Sequence, residues 1–320
     1  MALGGGERRV YQGADQFYVS DVGLEGRTLA ISGRTRYELW GRAPDRTEEA
    51  DLTWLGRSYV TDLSDDGRTV LFEDGLFARN LSYMFLGRTD GSSPVQLGQG
   101  TPGGLSPDGR WALGFPAPTR SDHQRTLAIV PTGAGEMRVL PRGAIDRYLD
   151  AFWFPDGRRI LVVGHAKDKP ARLFEQDTDK GEPKPVTPEG VVTRHPTVAP
   201  DGRGALASTL EAGSVFRLYP FDGGEPRQVP GLRIGDDPLR FDATGQHVFV
   251  REPTAANEPR ALIVRVDTLT GRREPWLDLS PSDRLGAAPI SMVRLSADGR
   301  SYAYTFVRDQ SNLFLVEGLR

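Results

Sequence analysis

The chain has 320 residues, of which 38% are apolar and 26% are charged, and its formal net charge is −3. This length and composition are typical of a globular chain that buries a sizeable core. The absence of cysteine excludes disulfides, thiolate metal sites and cysteine nucleophiles, and the dispersed basic residues argue against nucleic acid as a partner.

The N-terminal residues carry no recognisable targeting signal. Residues 1–9 lack the apolar core of a signal peptide, and no apolar run approaches the roughly 18 residues that a membrane-spanning helix requires. We therefore expect no membrane insertion by this chain itself.

A turn sequence recurs along the chain at nearly regular intervals. Its strongest copies are Ser106–Arg110, Phe154–Arg158 and Ala199–Arg203, each containing Pro-Asp-Gly-Arg, and weaker copies surround four other glycines. The seven turn glycines are Gly26, Gly67, Gly109, Gly157, Gly202, Gly245 and Gly299, spaced by 41 to 54 residues. A period of about 40–50 residues is typical of the four-stranded blade of a β-propeller.

The residue types in this turn explain its shape. Proline pre-sets φ at the first central position of a type I turn, and aspartate suits the second. Glycine then adopts the left-handed conformation that completes a three-residue hairpin loop. We therefore predict positive φ at Gly109, Gly157 and Gly202, and we interpret the aspartates of these turns as structural.

Strand-like segments follow the turns in chain order. The segment after a turn is apolar or alternating, as in Thr69–Phe72 and Ile160–Val163, and a third segment follows, as in Tyr37–Trp40 and Leu313–Val316. No segment sustains a helical period, and the mixed segment Arg142–Phe152 is interpreted as a loop between blades.

The sequence therefore predicts an all-β fold, a seven-bladed β-propeller of four-stranded antiparallel blades that occupies residues 1–320 as a single domain. The chain ends on a third strand and begins with Arg8–Tyr11, a segment with the composition of an outer fourth strand. Because a closed ring leaves no free sheet edge, we predict that Arg8–Tyr11 pairs with Leu313–Val316 and closes the last blade.

The Pro-Asp-Gly units resemble the repeat of TolB-type β-propellers over nearly the whole chain. Two further segments, Leu52–Leu55 and Leu295–Leu319, look like the propeller region that lies C-terminal to bacterial eukaryotic-type Ser/Thr kinases. The resemblance implies a sensing or protein-binding module of a bacterial signalling protein. It would place the chain in the periplasm if the chain follows a membrane kinase, and in the cytoplasm otherwise.

Local catalytic motifs are missing from the sequence. It has no His-Arg-Asp or Asp-Phe-Gly segment of a kinase, no Gly-x-Ser-x-Gly elbow and no His-Glu-x-x-His metal motif. We therefore expect a non-catalytic protein without cofactor or metal. One alternative stays open, a hydrolase or lyase whose residues converge in the central channel from several blades, since such a site needs no local motif.

Binding residues concentrate in loops on a rigid scaffold. In a propeller, the loops before the first strands and between the second and third strands share one face, at the mouth of the channel. These loops contain the predicted ligand-binding residues Asp122, His123, His165, Arg194, His195, Asp236 and Asp237. We expect them to contact a protein or small-molecule ligand of a monomeric protein. A joint metal-binding or catalytic role of His123, His165 and His195 is the alternative interpretation.

Overall fold

The computed structural model describes residues 16–23, 27–76, 81–117, 125–179, 181–191, 195–209, 213 and 215–317. These residues form 24 β-strands and no helix, so the predicted all-β class is confirmed. Within the described ranges, no helix has the length and apolarity needed to cross a membrane.

The three N-terminal strands do not form a sheet of their own. They are β1 (Gln16–Val22), β2 (Thr28–Arg42) and β3 (Ala50–Asp51). All three belong to the sheet that contains the C-terminal strands of the chain, which is described below.

The next strands form two blades that share one strand and so make a seven-stranded sheet. They are β4 (Tyr59–Leu63), β5 (Thr69–Leu76), β6 (Leu81–Arg88), β7 (Val95–Leu105), β8 (Trp111–Pro116), β9 (Ala128–Pro131) and β10 (Arg138–Val139). The first half of β7 is the outer strand of blade one, and its second half is the inner strand of blade two. The switch falls at Gly100, whose φ is +133° and where a Cβ would lie 2.3 Å from the Phe115 carbonyl oxygen. Only glycine fits that position without a backbone shift.

Blades three to five are separate four-stranded sheets in which the chain runs outward through antiparallel neighbours. Blade three contains β11 (Ile145–Trp153), β12 (Arg159–Ala166), β13 (Ala171–Asp177) and β14 (Lys184–Pro185). Blade four contains β15 (Thr197–Val198), β16 (Gly204–Ala207), β17 (Arg217–Pro220) and β18 (Arg227–Gln228). Blade five contains β19 (Asp237–Phe241), β20 (His247–Arg251), β21 (Ala261–Asp267) and β22 (Arg273–Leu279).

The last blade combines the two ends of the chain. Its inner strands are β23 (Ala287–Leu295) and β24 (Tyr302–Val316), and β24 pairs with β2 along the whole length of both strands. The second half of β2 and the short β3 therefore supply the third and fourth strands of this blade. The remaining halves of β2 and β24 extend beyond it, with β1 at their side, as a three-stranded ribbon.

The described residues thus form six blades, whereas the sequence predicted seven. The unit predicted around Gly26 does not make a separate sheet in the described part of the chain, because its two strand segments are continuous in β2 and both pair with β24. No turn interrupts β2 between these two segments, so the chain does not fold back on itself there. Arg8–Tyr11 lies outside the described residues, and Leu313–Val316 pairs on one side with Thr28–Ile31.

The segment Arg142–Phe152, interpreted from the sequence as a loop, is largely the inner strand β11 of blade three. It pairs with β12 through two irregularities of register, between Ile145 and Arg147 and between Tyr148 and Asp150. These bulges break the strict alternation of apolar residues that would have indicated a strand.

The predicted turn conformation is confirmed. The φ angles of Gly109, Gly157 and Gly202 are +68°, +65° and +67°. In the Ser106 turn, the Ser106 hydroxyl donates to Asp108 Oδ1 at 2.6 Å and the Gly109 N–H donates to the Ser106 carbonyl at 2.8 Å. The Ser106 hydroxyl and the Arg110 N–H lower the pKa of Asp108, which supports a structural role for the turn aspartate.

The hydrophobic core lies between neighbouring blades. One cluster joins blade two, through Leu113 and Ile129, to blade three, through Ile145, Tyr148 and Ile160. All five side chains are at most 2% exposed. Each blade is thus covered by its neighbours, and the sheets present their inner strands to a common centre.

Candidate functional site

The inner strands of all six blades line one central cavity of about 220 Å³ in the described part of the chain. The contributing segments are Thr61–Asp65, Gly103–Pro107, Phe152–Pro155, His195–Val198, Pro238–Arg240 and Arg294–Leu295. The cavity therefore lies on the axis of the propeller, beside the Pro-Asp-Gly turns that follow these strands.

One position of the repeat supplies a wall residue from every blade. It lies five residues before the turn glycine, and its occupants are Asp62, Gly104, Phe152, Thr197, Arg240 and Arg294. Because the inner strands are equivalent, this position meets the channel at a similar level in each blade. At this position, the channel wall is consequently acidic in blade one, uncharged in blades two to four, and basic in blade five and in the last blade, blade six.

Arg294 is held at the channel wall by two backbone carbonyls and by a contact with the His195 ring. Its Nε donates to the Thr61 carbonyl at 2.6 Å and its Nη1 to the Val293 carbonyl at 2.9 Å, while Nη2 lies 3.4 Å from His195 Nδ1. Burial lowers the pKa of Arg294, and carboxylates including Asp62 counteract this at longer range. Among the described residues, no carboxylate forms a direct ion pair with this guanidinium.

Asp62 is fixed by the backbone of two blades. Its Oδ2 accepts a hydrogen bond from the Leu105 N–H at 2.7 Å and its Oδ1 one from the Leu63 N–H at 2.8 Å. Burial raises the pKa of Asp62, although these N–H groups and Arg294 oppose the rise. The carboxylate therefore links blade one to blade two and has little freedom to reorient.

Asp150 and His195 face each other across blades three and four. His195 Nδ1 lies 4.0 Å from Asp150 Oδ2, and the ring of Phe152 packs edge-on against the imidazole with 6.2 Å between centroids. Burial raises the pKa of Asp150 to about 6, against the opposing effects of the Ala151 N–H, Arg294 and Arg125. This carboxyl group consequently titrates at a higher pH than an ordinary aspartate.

The raised pKa predicts a specific pH dependence of stability. A carboxyl group with a raised folded-state pKa binds its proton more tightly in the folded than in the unfolded chain, so its contribution is greatest at low pH. We expect the free energy of unfolding of the native protein to fall by about 1–3 kcal/mol, relative to Asp150→Asn, as the pH rises from about 4 to about 6. Urea unfolding across this range measures the difference.

The asparagine variant preserves the acceptor oxygen that binds the Ala151 N–H at 2.8 Å, so the comparison isolates the titration. Asp146→Asn, at an exposed position of the same strand, is the matched control and should not change the pH profile relative to the native protein. Parallel profiles for the native protein and Asp150→Asn would contradict the prediction.

The structure brings together only part of the predicted ligand-binding set. Of the described members, His195 lines the cavity, and His165 lies on blade three, where its ring nitrogens contact the Lys169 carbonyl at 3.1 Å and Arg147 Nη2 at 3.0 Å. Asp122, His123 and Arg194 lie outside the described residues.

Asp236 and Asp237 form ion pairs within blade five instead of lining the cavity. Asp236 is buried and accepts from Arg273 Nη1 at 2.7 Å, and Asp237 pairs with Arg251 Nη2 at 2.9 Å. Sequence reasoning missed the charged wall residues Asp62, Arg240 and Arg294, and also Asp150, which lies beside the wall residue His195. Three of these could have been found by aligning the repeats on their turn glycines, because they share one position.

No group of three or more His, Asp or Glu side chains in the described ranges is arranged to hold a metal ion.

Comparisons with known proteins identify the architecture. No family model and no curated protein sequence matches the chain. A putative TolB from Agrobacterium tumefaciens matches in structure with a TM-score of 0.60 and 19% identity, covering 87% of this chain and 99% of that one. TolB from Acinetobacter baumannii matches with a TM-score of 0.53 and 13% identity, covering 87% of this chain and 66% of that one.

A chain of a nidogen/laminin complex matches with a TM-score of 0.54 and 12% identity, covering 78% of this chain and 95% of that one. Identities this low show the shared fold alone. The repeat, the inner-strand channel and these similarities together establish that the chain has the fold of a TolB-like β-propeller.

Proposed function

We propose that this chain is a non-catalytic binding propeller that recognises a protein segment or small ligand at its central channel. The observation that carries the proposal is the way the charges of the channel wall are held. Asp62 is bound by backbone N–H groups and Arg294 by backbone carbonyls, so both keep their positions without a ligand. Preorganised charges reduce the cost of ordering that binding would otherwise incur.

The size of the cavity supports a particular mode of recognition. Pockets for drug-sized ligands are typically about 300–1,000 Å³, whereas this cavity is about 220 Å³. It has room for one side chain of a partner or for a small molecule. The resemblance to kinase-associated propellers is the reason to propose that such recognition serves a signalling protein.

A channel enzyme is the second candidate, and the Asp150–His195 pair favours it. A carboxyl group with a pKa of about 6 next to an imidazole has the properties of an acid–base pair. The two candidates predict different fates for a bound ligand. A binding propeller leaves the ligand unchanged, whereas an enzyme consumes it in a reaction that Asp150→Asn slows strongly.

The binding proposal is tested by replacing a wall residue with one whose side chain occupies the channel. A Cβ at Gly104 would lie 3.3 Å from Asp62 Oδ2 and 3.8 Å from Trp153 Cδ1, so a larger side chain projects among the lining residues. We expect Gly104→Leu to weaken binding of peptides selected from a random library on the native protein by at least about tenfold, because the cavity is occupied. Fluorescence anisotropy of the labelled peptides measures affinity, and mass spectrometry shows whether they are consumed.

Gly133→Leu is the matched control, since a Cβ at Gly133 meets no atom within 4 Å. It should bind the peptides as the native protein does, and thermal unfolding should show that both variants are folded. Equal binding by the native protein and Gly104→Leu would place recognition elsewhere and refute the proposal.

A further inference from the structure

The basic side of the channel combines two guanidinium groups from neighbouring blades. Arg240 and Arg294 occupy the same repeat position in blades five and six, and both line the cavity. The charge of Arg240 is balanced by an ion pair with the turn of blade one, where its Nη2 lies 2.7 Å from Asp65 Oδ1. Arg294 has no such partner among the described residues.

The donors of Arg294 are incompletely used by the protein. A guanidinium carries five N–H donors, and three contacts account for three of them: the Thr61 and Val293 carbonyls and the His195 ring. Two N–H donors therefore remain without a protein acceptor in the described part of the chain. Leaving a charged donor unsatisfied in a confined site is costly, and an acceptor that carries a negative charge compensates it best.

Apolar surface adjoins this cation on the cavity wall. Phe152, Trp153 and Leu239 line the same cavity, and the Trp153 indole is fixed by donation to the Gly104 carbonyl at 3.1 Å. A ligand that fills the cavity therefore meets a cationic group and aromatic side chains together. A group with a short apolar body and one terminal anion matches both.

We propose that the channel binds a carboxylate, with the guanidinium of Arg294 as its principal contact and the apolar wall holding the group that carries it. This inference rests on the proposed binding function and names the chemistry of its ligand. A carboxylate is favoured over a phosphate because Asp62 belongs to the same wall and Asp150 lies within electrostatic range of Arg294. Both would repel a second negative charge.

The experiment compares three probes on the native protein: hydrocinnamate, its uncharged amide hydrocinnamamide, and inorganic phosphate. The acid and the amide share shape and apolar body and differ in the charge that Arg294 would bind. Trp153 reports occupancy through its fluorescence, and the signal should disappear in Trp153→Phe if it comes from the channel. We expect hydrocinnamate to bind at least about tenfold more tightly than hydrocinnamamide, because a hydrogen bond to a charged group stabilises a complex more than one to a neutral group. Hydrocinnamate should also bind more tightly than phosphate.

Two variants assign the preference to Arg294. Arg294→Gln should reduce hydrocinnamate affinity at least about tenfold and change hydrocinnamamide affinity less than about twofold. Arg272→Gln, which removes an arginine with a 77% exposed side chain just before the outer strand β22 of blade five, should change neither. Thermal unfolding checks that the variants are folded, and the three-probe comparison on the native protein holds even if Arg294→Gln does not fold.

The outcomes separate this inference from the binding proposal. If hydrocinnamate binds no more tightly than its amide, or phosphate binds as tightly as hydrocinnamate, the carboxylate inference is overturned. The binding proposal then still stands if Gly104→Leu weakens the selected peptides. If Gly104→Leu leaves those peptides unaffected, the binding proposal itself fails.

Discussion

Replacing Arg308 with methionine should lower the free energy of unfolding by about 3–5 kcal/mol, because the change leaves a buried carboxylate without its partner. Arg308 on β24 pairs with Glu38 on β2, with Nε 2.8 Å from Glu38 Oε1. The two side chains are only 8% and 7% exposed. The guanidinium also donates to the Leu285 carbonyl at 2.6 Å, so a single side chain connects β24, β2 and the segment before β23.

Chemical denaturation measures the loss, and a double variant tests its cause. Combining Arg308→Met with Glu38→Leu should recover part of the loss, since no buried charge then remains unpaired. Arg272→Met, at an exposed arginine, should cost less than about 0.5 kcal/mol. A cost below about 1 kcal/mol for Arg308→Met would contradict the view that this pair stabilises the junction of the chain ends.

Asp236→Ala should be about as destabilising as Arg308→Met, lowering the free energy of unfolding by about 3–5 kcal/mol, although the sequence predicted Asp236 as a ligand contact. The Asp236 side chain is 0% exposed and accepts hydrogen bonds from Arg273 Nη1 at 2.7 Å and Nη2 at 3.1 Å. It also accepts from the Arg233 N–H at 2.7 Å, which shapes the loop before β19. Removing it leaves Arg273 with a single carboxylate partner, Glu252.

The neighbouring residue provides the control. Asp237 forms its own ion pair with Arg251, but its side chain is 33% exposed, so Asp237→Ala should cost about 1 kcal/mol or less. Denaturation of the two variants side by side distinguishes a buried pair from a surface pair. Equal costs, or a stable Asp236→Ala protein with weakened ligand binding, would return Asp236 to the candidate ligand contacts.

The turns were predictable from the sequence because their geometry is encoded locally. A Pro-Asp-Gly triplet specifies its own backbone, and the glycines have the expected φ wherever the turn is described. The number of blades depends on pairing between distant strands. Tyr37–Trp40 has the pattern of a third strand, and it is one, but its inner neighbour is the distant strand β24 and not the strand segment that precedes it in its own repeat.

The candidate site was harder to predict, because its residues are ordinary in their local context. Asp62 lies between Thr61 and Leu63, and Arg294 lies between Val293 and Leu295. Both are on inner strands and belong to no motif. They become distinctive only when the blades converge on one axis. The sequence analysis selected the loops because they contain histidines and aspartates. The structure shows that Asp236 instead forms an ion pair with Arg273 of its own blade.

The pairing of β2 with β24 has a consequence for how the protein is made. About 260 residues separate the end of β2 from the start of β24. At roughly 5–20 residues per second, a ribosome takes roughly 13–50 s to synthesise them. During that time the blades between them can form in order, while β2 leaves the ribosome without its partner. Its hydrogen-bonding edge is then available to wrong strands, including β2 of neighbouring nascent chains. The propeller therefore completes its last blade only after synthesis has passed β24, and β2 is the segment that we expect chaperones to protect until then.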